Sequence, residues 1–332
     1  MEKKLETPGF RENAMEEASK MLGQEFRIEQ WNEEASKDVI RHYAWGIGDD
    51  NPLYCDAEYG KKSRYGRVIA PPLFLYSIFD AVVAPCLPGY GFSGKPDKAG
   101  TSVDKIGHMW GQLMARLGYD RYVAQGGDWG SVITQSMGQT QTRHCAGIHI
   151  NMPVVAPDPD TMDKLTAQEQ SALEGMAFYS DWDSGYSKQQ STRPQTLGYG
   201  LADSPVGQMA WIIEKFYAWT DCEKDGVKHP ENILSKDELL DNVMVYWLNN
   251  CAASSARLYW ESFNHTNLNP VDMPVGCSIF PREIFRCSRR WAEKRFSNLI
   301  HWNEMERGGH FAALEQPTAF VEEVRNCFSS LR

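Results

Sequence analysis

The sequence lacks the long apolar runs of a membrane protein, since no run approaches the roughly 18 residues that a transmembrane helix needs. Basic residues are outnumbered, with 34 lysines and arginines against 44 aspartates and glutamates, which leaves a formal net charge of −10. Nucleic acids and anionic membrane surfaces attract basic patches instead. The start of the chain, MEKKLETPGF, is too charged for a secretory signal. We therefore expect a cytoplasmic protein that binds neither nucleic acid nor membrane.

Several kinds of functional group are also missing. The eight cysteines are scattered and include no C-x-x-C pair, so we expect reduced thiols rather than a disulfide framework. Histidines, cysteines and carboxylates form no cluster with metal-ligand spacing, and no glycine-rich loop has the pattern of a phosphate cradle. The sequence therefore predicts a protein without metal or cofactor, and it leaves open whether the chain forms a homo-oligomer.

The part of the chain after Leu87 has the pattern of an α/β protein. A helix is expected over residues 103–117, capped by Ser102 or Asp104. Short unbroken apolar runs follow, separated by helical stretches, which is the pattern of a parallel sheet covered on both faces. A helix-rich insertion is predicted between about residues 157 and 269.

The sequence GGDWG at residues 126–130 lies between a short apolar strand and a helix. Small residues two positions before and two after Asp128 allow a tight strand-to-helix turn, as in a nucleophile elbow. A carboxylate held there can attack an sp³ carbon and form an ester that water must later cleave. Taken alone, the pattern is equally compatible with an aspartate that caps a helix after a glycine turn.

Two further residues follow in the chain order of an α/β-hydrolase triad. Glu283 comes after the apolar strand VGCSIF, and His310 lies in a glycine turn after the strand LIHWNEM. A histidine at that place can act as a general base, with a carboxylate to orient its ring. Either residue by itself could be an ordinary surface residue. The order Asp128, Glu283, His310 predicts a nucleophile, an acid and a base.

Four segments carry a family resemblance: PGYGFSGKP, GGDWGS, GCSIFPREIF and HWNEMERGGHFAALEQP. They resemble the epoxide hydrolases of the microsomal and fungal group, and the resemblance runs from about residue 87 to residue 332. It implies an α/β-hydrolase fold with a helical lid at about residues 157–269. It also implies that Asp128 is the nucleophile, His310 the base and Glu283 its partner.

The resemblance further implies two lid tyrosines that hydrogen-bond the epoxide oxygen and protonate it as the ring opens. Such an acid is needed because an alkoxide is a poor leaving group. The best matches are Tyr186 in DSGYSKQQ and Tyr259 in SSARLYWESF, with Tyr199 in TLGYGLADSP as a rival for the first position. From the residues alone, a packing role is the default for any of the 14 tyrosines.

The function implied by the resemblance is cofactor-free hydrolysis of an epoxide to a vicinal diol, through an ester on Asp128. Haloalkane dehalogenases share the aspartate elbow and are the nearest alternative enzyme, but they hold halide with tryptophan-like donors and need no paired tyrosines. Aromatic residues in the insertion favour a small apolar, aryl-bearing epoxide, although they could equally form lid core; they are Trp182, Trp211, Phe216, Trp219, Trp247 and Trp260.

The segment at about residues 20–88 resembles a different family, the MaoC-type acyl dehydratases of the hot-dog fold. The resemblance lies in IRHYAWGIGDDNPLYCDAEYGKKSRYGRVIAPPLF, but Tyr54 stands where the D-x-N-P-x-H pattern of an active repeat has histidine. Dehydratase activity is therefore not expected. We expect a partial hot-dog-like segment at 1–86, followed by an α/β-hydrolase domain at 87–332 that is truncated at its N-terminal strands.

One loop of the family is absent from the sequence. No H-G-x-P motif, which in the family donates an oxyanion-hole amide, occurs anywhere in the chain. The amide of Trp129, just after the nucleophile, is the donor that can be identified. The missing strands would also expose a parallel sheet edge unless residues 1–86 cover it. An inactive or poorly folded chimera is therefore the alternative to an active epoxide hydrolase.

Overall fold

The computed structural model describes residues 52–63, 83–263 and 267–331. The chain divides into two compact units, Met1–Ala84 and Pro85–Arg332. Among the helices of the described residues, none combines the length and the apolar character needed to cross a bilayer.

In the first unit, two short helices are described. Helix α1 spans Pro52–Cys55 and helix α2 spans Ala57–Lys62. Asp56 caps α2, because its carboxylate accepts hydrogen bonds from the first backbone amides of that helix. Of the dehydratase-like pattern at residues 49–54, the second half, Pro52 to Tyr54, lies in α1, whereas residues 49–51 lie outside the described residues.

The larger unit contains a parallel sheet and a short hairpin. Its strands are β1 (Tyr122–Gly126), β2 (Cys145–Ile150), β3 (Glu223–Lys224), β4 (Val227–Lys228), β5 (Val275–Ile279) and β6 (Leu299–Glu304). The sheet has the order β1-β2-β5-β6 with every pair parallel, and β3 and β4 form the antiparallel hairpin. Strand β5 is buried along its whole length, as expected for a strand covered on both faces. The parallel sheet confirms the predicted α/β fold class.

Helices cover this sheet and form the insertion. In chain order they are α3 (Val103–Arg116), α4 (Asp128–Thr140), α5 (Ala167–Phe178), α6 (Gly185–Thr192), α7 (Pro194–Asp203), α8 (Pro205–Trp219), α9 (Lys236–Leu248), α10 (Ala252–Ser262), α11 (Arg289–Arg295), α12 (Ala312–Glu315) and α13 (Pro317–Phe328). Helices α5 to α10 all lie between β2 and β5, where the sequence predicts a helix-rich insertion. A π-helical turn, Tyr179–Asp183, joins α5 to α6.

Helix α3 shows how local sequence sets the ends of these elements. The hydroxyl of Ser102 caps its first turn by accepting a hydrogen bond from the Lys105 amide. The other predicted cap, Asp104, instead accepts a hydrogen bond of 2.5 Å from the hydroxyl of Ser136 in α4. The helix ends at Arg116, just before Gly118, whose φ of +83° suits glycine.

The main core lies between the sheet and helices α3, α4 and α11. Each Leu- or Ile-sized side chain buried there stabilises the fold by about 1.5–3 kcal/mol. The largest fully buried members include Ile106, Ile133, Ile148, Ile150, Trp291 and Phe296.

A buried arginine ties the two ends of the insertion to this core. Arg295, in the last turn of α11, is 7% exposed. Its guanidinium donates to the carbonyl oxygens of Val154, just before the insertion, and of Asn267 and Asn269, at the end of it. A fourth hydrogen bond, of 2.6 Å, goes to the side-chain oxygen of Gln135 in α4. Burial lowers the pKa of Arg295 to about 10, and this set of acceptors compensates the buried cation.

We expect Arg295→Met to lower the free energy of unfolding by about 2–4 kcal/mol, because it leaves several buried carbonyl oxygens without a donor. Arg289→Met on the same helix is the matched control. Arg289 is 59% exposed and forms an exposed ion pair with Glu293, so its loss should cost less than about 1 kcal/mol. Urea unfolding measures the free energy of unfolding of both variants, and equal decreases would contradict the role given to Arg295.

Candidate active site

Asp128 occupies a strained turn between β1 and α4. It is the first residue of α4, and its φ of +48° lies in the left-handed region that non-glycine residues rarely adopt. A Cβ atom on Gly126 would lie 2.0 Å from the carbonyl oxygen of Gly130, so the turn requires glycine at position 126. The turn between strand and helix leaves the Asp128 side chain 39% exposed, as expected for the elbow that the sequence pattern predicts.

His310 lies between two carboxylates. Its Nε2 atom is 2.9 Å from Oδ2 of Asp128, and its Nδ1 atom is 2.6 Å from Oε1 of Glu283. The side chains of His310 and Glu283 are 3% and 0% exposed, whereas that of Asp128 is 39% exposed. The structure therefore brings together the three residues that the sequence predicts as a triad, and it leaves Asp128 as the accessible member.

Backbone hydrogen bonds hold the loops that carry Glu283 and His310. The amide of Arg282 donates to the carbonyl oxygen of Gly308 over 3.1 Å, so the two loops are joined one residue from Glu283. The amide of His310 donates to the carbonyl oxygen of Trp219, the last residue of α8, over 2.9 Å. The position of the imidazole is therefore set by two strand ends and by one helix of the insertion.

The ionisation states of these residues depend on one another. Burial alone would lower the pKa of His310, but the charges of Glu283 and Asp128 and their hydrogen bonds raise it to about 10. Burial would likewise raise the pKa of Asp128, yet the hydrogen bond and charge of His310 and the amide of Trp129 bring it below its ordinary value. At neutral pH the resting site therefore holds an imidazolium between carboxylates.

Tyr186 and Tyr259 face each other beside the nucleophile. Tyr186 lies in α6 and Tyr259 in α10, and their ring centroids are 5.8 Å apart. Burial raises the pKa of both phenols, and the charge of Asp128 adds to the rise in each, so both are protonated at neutral pH. The rival Tyr199, on α7, is 70% exposed.

Trp129 follows the nucleophile and contacts it through its backbone. Its amide donates to Oδ1 of Asp128 over 2.5 Å. Its ring packs edge-on against Tyr259 and Phe263, with centroids 5.0 and 6.4 Å away. Within the described residues, this amide is the backbone donor to the Asp128 carboxylate, at the place where the sequence predicts an oxyanion-hole donor.

Known proteins resemble both the sequence and this geometry. A predicted epoxide hydrolase of Stigmatella aurantiaca is 51% identical over 252 residues, which are 76% of this chain and 56% of that protein. Epoxide hydrolase 1 of Sus scrofa is 36% identical over 269 residues, covering 74% of this chain and 59% of that protein. The solved structure of Aspergillus niger epoxide hydrolase matches with a TM-score of 0.66 at 30% identity, over 74% of this chain and 62% of the other.

The chain is homologous to the epoxide hydrolases of the α/β-hydrolase fold. This confirms the resemblance that the four sequence segments predict. The chain spans somewhat more than half the length of the curated epoxide hydrolases that it matches.

The N-terminal part matches a second family. A family model described as the FAS1-like dehydratase domain region covers residues 20–94. This confirms the dehydratase-like segment predicted at about residues 20–88. The match extends into the PGYGFS loop, which belongs to the larger unit. Dehydratase-like and hydrolase-like sequence therefore overlap at the join.

Some residues of the epoxide hydrolase-like site were not predicted from the sequence. The hydroxyl of Tyr179 lies 3.1 Å from that of Tyr186, and the ring centroid of Trp219 lies 5.0 Å from His310 and 5.2 Å from Tyr186. Tyr179 precedes Tyr186 by seven positions, about two helical turns, and this spacing is the signal that could have paired them.

The aromatic residues of the insertion divide into different environments. Trp219 contacts His310 and Tyr186, as described above. Phe216 stacks on Phe311 in a separate small core, with centroids 4.2 Å apart. Trp182 and Trp260 are 82% and 51% exposed. Aromatic composition alone therefore does not identify which rings contact the triad.

We expect Gly126→Ala to abolish the elbow, because the added methyl group would clash with the Gly130 carbonyl. Gly130→Ala is the matched control, since a Cβ atom there meets nothing within 4 Å and alanine favours a helix. The midpoint temperature of thermal unfolding and the reactivity of Asp128 towards an epoxide should both decrease in Gly126→Ala. Both should stay at the parent level in Gly130→Ala. Parent reactivity in the Gly126→Ala chain would contradict this account of the turn.

Proposed function

We propose that this chain is an epoxide hydrolase that opens an epoxide to a vicinal diol through a covalent ester on Asp128. The observation that carries the proposal is the position of His310 between Asp128 and Glu283, next to two protonated phenols. The named activity of the homologous epoxide hydrolases supports the same chemistry. Water is the second substrate.

In the first half-reaction, a carboxylate oxygen of Asp128 attacks an epoxide carbon. The carbon–oxygen bond breaks and its electron pair goes to the epoxide oxygen. Tyr186 and Tyr259 donate hydrogen bonds to that oxygen, and one of them transfers its proton. The raised pKa of these phenols keeps both protons in place until the strongly basic alkoxide develops.

Alkylation changes the state of His310. The charge of Asp128 is one of the causes that keep the imidazole protonated, and the ester carries no charge. The pKa of His310 therefore falls once the ester forms, and its proton passes to the tyrosinate, directly or through solvent. This transfer leaves a neutral imidazole and a neutral phenol, so the loss of one carboxylate charge converts His310 into a general base.

In the second half-reaction, Nε2 of His310 takes a proton from the water that adds to the ester carbonyl carbon of Asp128. Glu283 holds the imidazole in place, and the Trp129 amide donates to the oxyanion. Collapse of the adduct releases the diol with the proton from His310. The carboxylic acid left on Asp128 then returns a proton to the imidazole, so epoxide and water give diol and the resting pair is restored.

The aromatic surroundings of Asp128 favour an apolar, aryl-bearing epoxide. Trp129 packs against Tyr259 and Phe263, and Tyr179 packs against Phe285 with centroids 4.8 Å apart. Apolar and aromatic walls with few polar groups are typical of small-molecule sites. The paired phenols also favour an epoxide over an alkyl halide, because a halide leaves without a proton.

We also propose that residues 87–332 form the hydrolase domain, with residues 157–269 as its lid. The lid assignment is supported by the origin of Tyr186 and Tyr259 in the two ends of the helical insertion. Residues 1–86 are proposed as a dehydratase-like segment without dehydratase activity, because Tyr54 occupies the position of the histidine base.

Brief exposure to styrene oxide should add one substrate mass to the intact protein, as measured by mass spectrometry. Asp128→Asn should remove the adduct. His310→Gln should form the adduct and retain it, because alkylation needs the carboxylate and hydrolysis needs the imidazole. With one identified oxyanion donor, hydrolysis should be slower than alkylation in the parent chain, by about 100-fold or more. A well-folded chain with neither adduct nor diol would favour the inactive chimera.

The two half-reactions should depend differently on pH. Ester hydrolysis should accelerate as pH rises through the pKa of His310 in the alkylated state, which lies below its resting value of about 10. Alkylation should stay nearly constant over the same range, because the Asp128 carboxyl has a lowered pKa and the phenols have raised ones. Single-turnover mixing at several pH values separates the steps, and an alkylation rate that rises in parallel with hydrolysis would contradict the assignment.

A further inference from the structure

A buried lysine lies against one of the two tyrosines. Lys215, in α8, is 8% exposed, and its Nζ atom lies 4.6 Å from the ring centroid of Tyr186 and 5.1 Å from that of Trp219. Cations are attracted to the electron-rich faces of aromatic rings, most strongly where water is excluded. The ammonium group is therefore part of the surroundings of Tyr186.

An aspartate of the π-helical turn holds this lysine. Nζ of Lys215 is 2.8 Å from Oδ1 of Asp183, and the other oxygen of Asp183 accepts a hydrogen bond from the indole nitrogen of Trp219. Glu214 adds a second partner at 2.9 Å, but its side chain is 60% exposed and its charge is screened by solvent. The π-helical turn places Asp183 so that it fixes the lysine on one side while the Tyr186 ring faces it on the other.

The other neighbours of Tyr186 oppose ionisation of its phenol. Burial, the phenols of Tyr259 and Tyr179 and the charge of Asp128 all raise its pKa. The hydroxyl of Ser187 donates to the carbonyl oxygen of Ser184 and so accepts from Tyr179, which in turn accepts from Tyr186. The resting hydrogen bond of Tyr186 therefore stabilises its protonated form. Lys215 places a positive charge over the ring, and a nearby positive charge favours a phenolate over a phenol.

Tyr259 has different surroundings. Its ring contacts are aromatic: Trp129 at 5.0 Å, Phe263 at 6.4 Å and Tyr186 at 5.8 Å between centroids. Across residues 52–63, 83–263 and 267–331, no lysine or arginine lies over the Tyr259 ring, whereas Lys215 lies over that of Tyr186. The Trp129 side chain also hydrogen-bonds to Tyr259 and acts to lower its pKa, but it carries no charge. Of the two tyrosines, Tyr186 is therefore the one with a cation over its ring.

We propose that Lys215 is a positioning residue that makes Tyr186, rather than Tyr259, the tyrosine that transfers its proton to the epoxide oxygen. The inference rests on the proposed epoxide hydrolase function. When the carbon–oxygen bond breaks, the proton of Tyr186 moves to the epoxide oxygen and leaves a phenolate under the ammonium group. Tyr259 keeps its proton and only donates a hydrogen bond. Attraction between phenolate and ammonium is present in the transition state and absent from the neutral phenol, so it accelerates ring opening.

The test is the rate of adduct formation with styrene oxide, followed by rapid mixing and intact-protein mass spectrometry on the full chain. Lys215→Met should slow alkylation by about 10- to 100-fold, while the fraction of chain finally alkylated stays at the parent level and reports intact folding. Lys215→Arg should recover most of the rate. Lys228→Met is the matched control, because Lys228 lies 5.2 Å over the ring of Tyr217, outside the triad contacts, and should have no effect.

Double variants distinguish an electrostatic role from a structural one. In a Tyr186→Phe chain, Lys215→Met should lower the alkylation rate by less than about twofold. In a Tyr259→Phe chain, it should lower the rate by the same factor as in the parent chain. Asp183→Asn weakens the ion pair but retains the cation, so its alkylation rate should stay within about threefold of the parent. If Lys215→Met fails to fold, Lys215→Gln, which removes the charge but keeps a hydrogen-bond donor for Asp183, replaces it with the same expected rate loss.

Equal rate losses in Asp183→Asn and Lys215→Met, or a Lys215→Met loss that persists in the Tyr186→Phe chain, would overturn the inference in favour of a structural ion pair. Parent-like alkylation by Lys215→Met would overturn it as well. In either case, adduct formation by the parent chain leaves the proposed function standing. A parent chain that forms no adduct would instead defeat the proposed function, and with it this inference.

Discussion

The site depends on the buried pairing of His310 with Asp128 and Glu283. Two carboxylates that contact one imidazole from opposite sides hold its proton well above neutral pH. Each carboxylate favours the protonated imidazole, so the loss of either negative charge lowers the pKa of His310. In the proposed mechanism, ester formation on Asp128 removes one of these charges and His310 then releases its proton. Both proposed half-reactions therefore use one set of contacts.

The helical insertion supplies the two tyrosines that lie beside the triad. In the proposed mechanism, the phenols of Tyr186 and Tyr259 keep their protons at rest and one of them releases its proton at the transition state. Burial raises the pKa of both phenols, and we propose that Lys215, which lies over the Tyr186 ring, favours proton loss from that tyrosine. The carbonyl oxygen of Trp219 accepts a hydrogen bond from the His310 amide, and the Trp219 ring packs against Tyr186. Helix α8 therefore contacts both His310 and Tyr186. The insertion therefore contributes both backbone and side-chain groups to the surroundings of the triad.

Long-range polar contacts keep these parts in register. Arg295 of α11 donates hydrogen bonds to the backbone at both ends of the insertion and to Gln135 of α4. Backbone hydrogen bonds join the loop of Glu283 to that of His310 and join the latter to α8. Such contacts matter because the catalytic groups come from distant parts of the chain, and small displacements of general bases and nucleophiles cost large factors in rate. Asp128, Glu283 and His310 follow strands β1, β5 and β6 of the four-stranded sheet that the described residues form.

Local patterns in the sequence determined the α/β class, the elbow at Asp128 and the chain order of Glu283 and His310, because strand ends, glycine turns and helix caps are encoded by neighbouring residues. Family resemblance, rather than spacing, selected Tyr186 and Tyr259. Tertiary structure decided the rest. It showed that steric contact requires glycine at position 126 and not at 130, it left Tyr199 on the surface, and it brought Tyr179, Trp219 and Lys215 to the site. These features depend on contacts between separate helices and strands, and on the charges that burial brings together, which no local pattern contains.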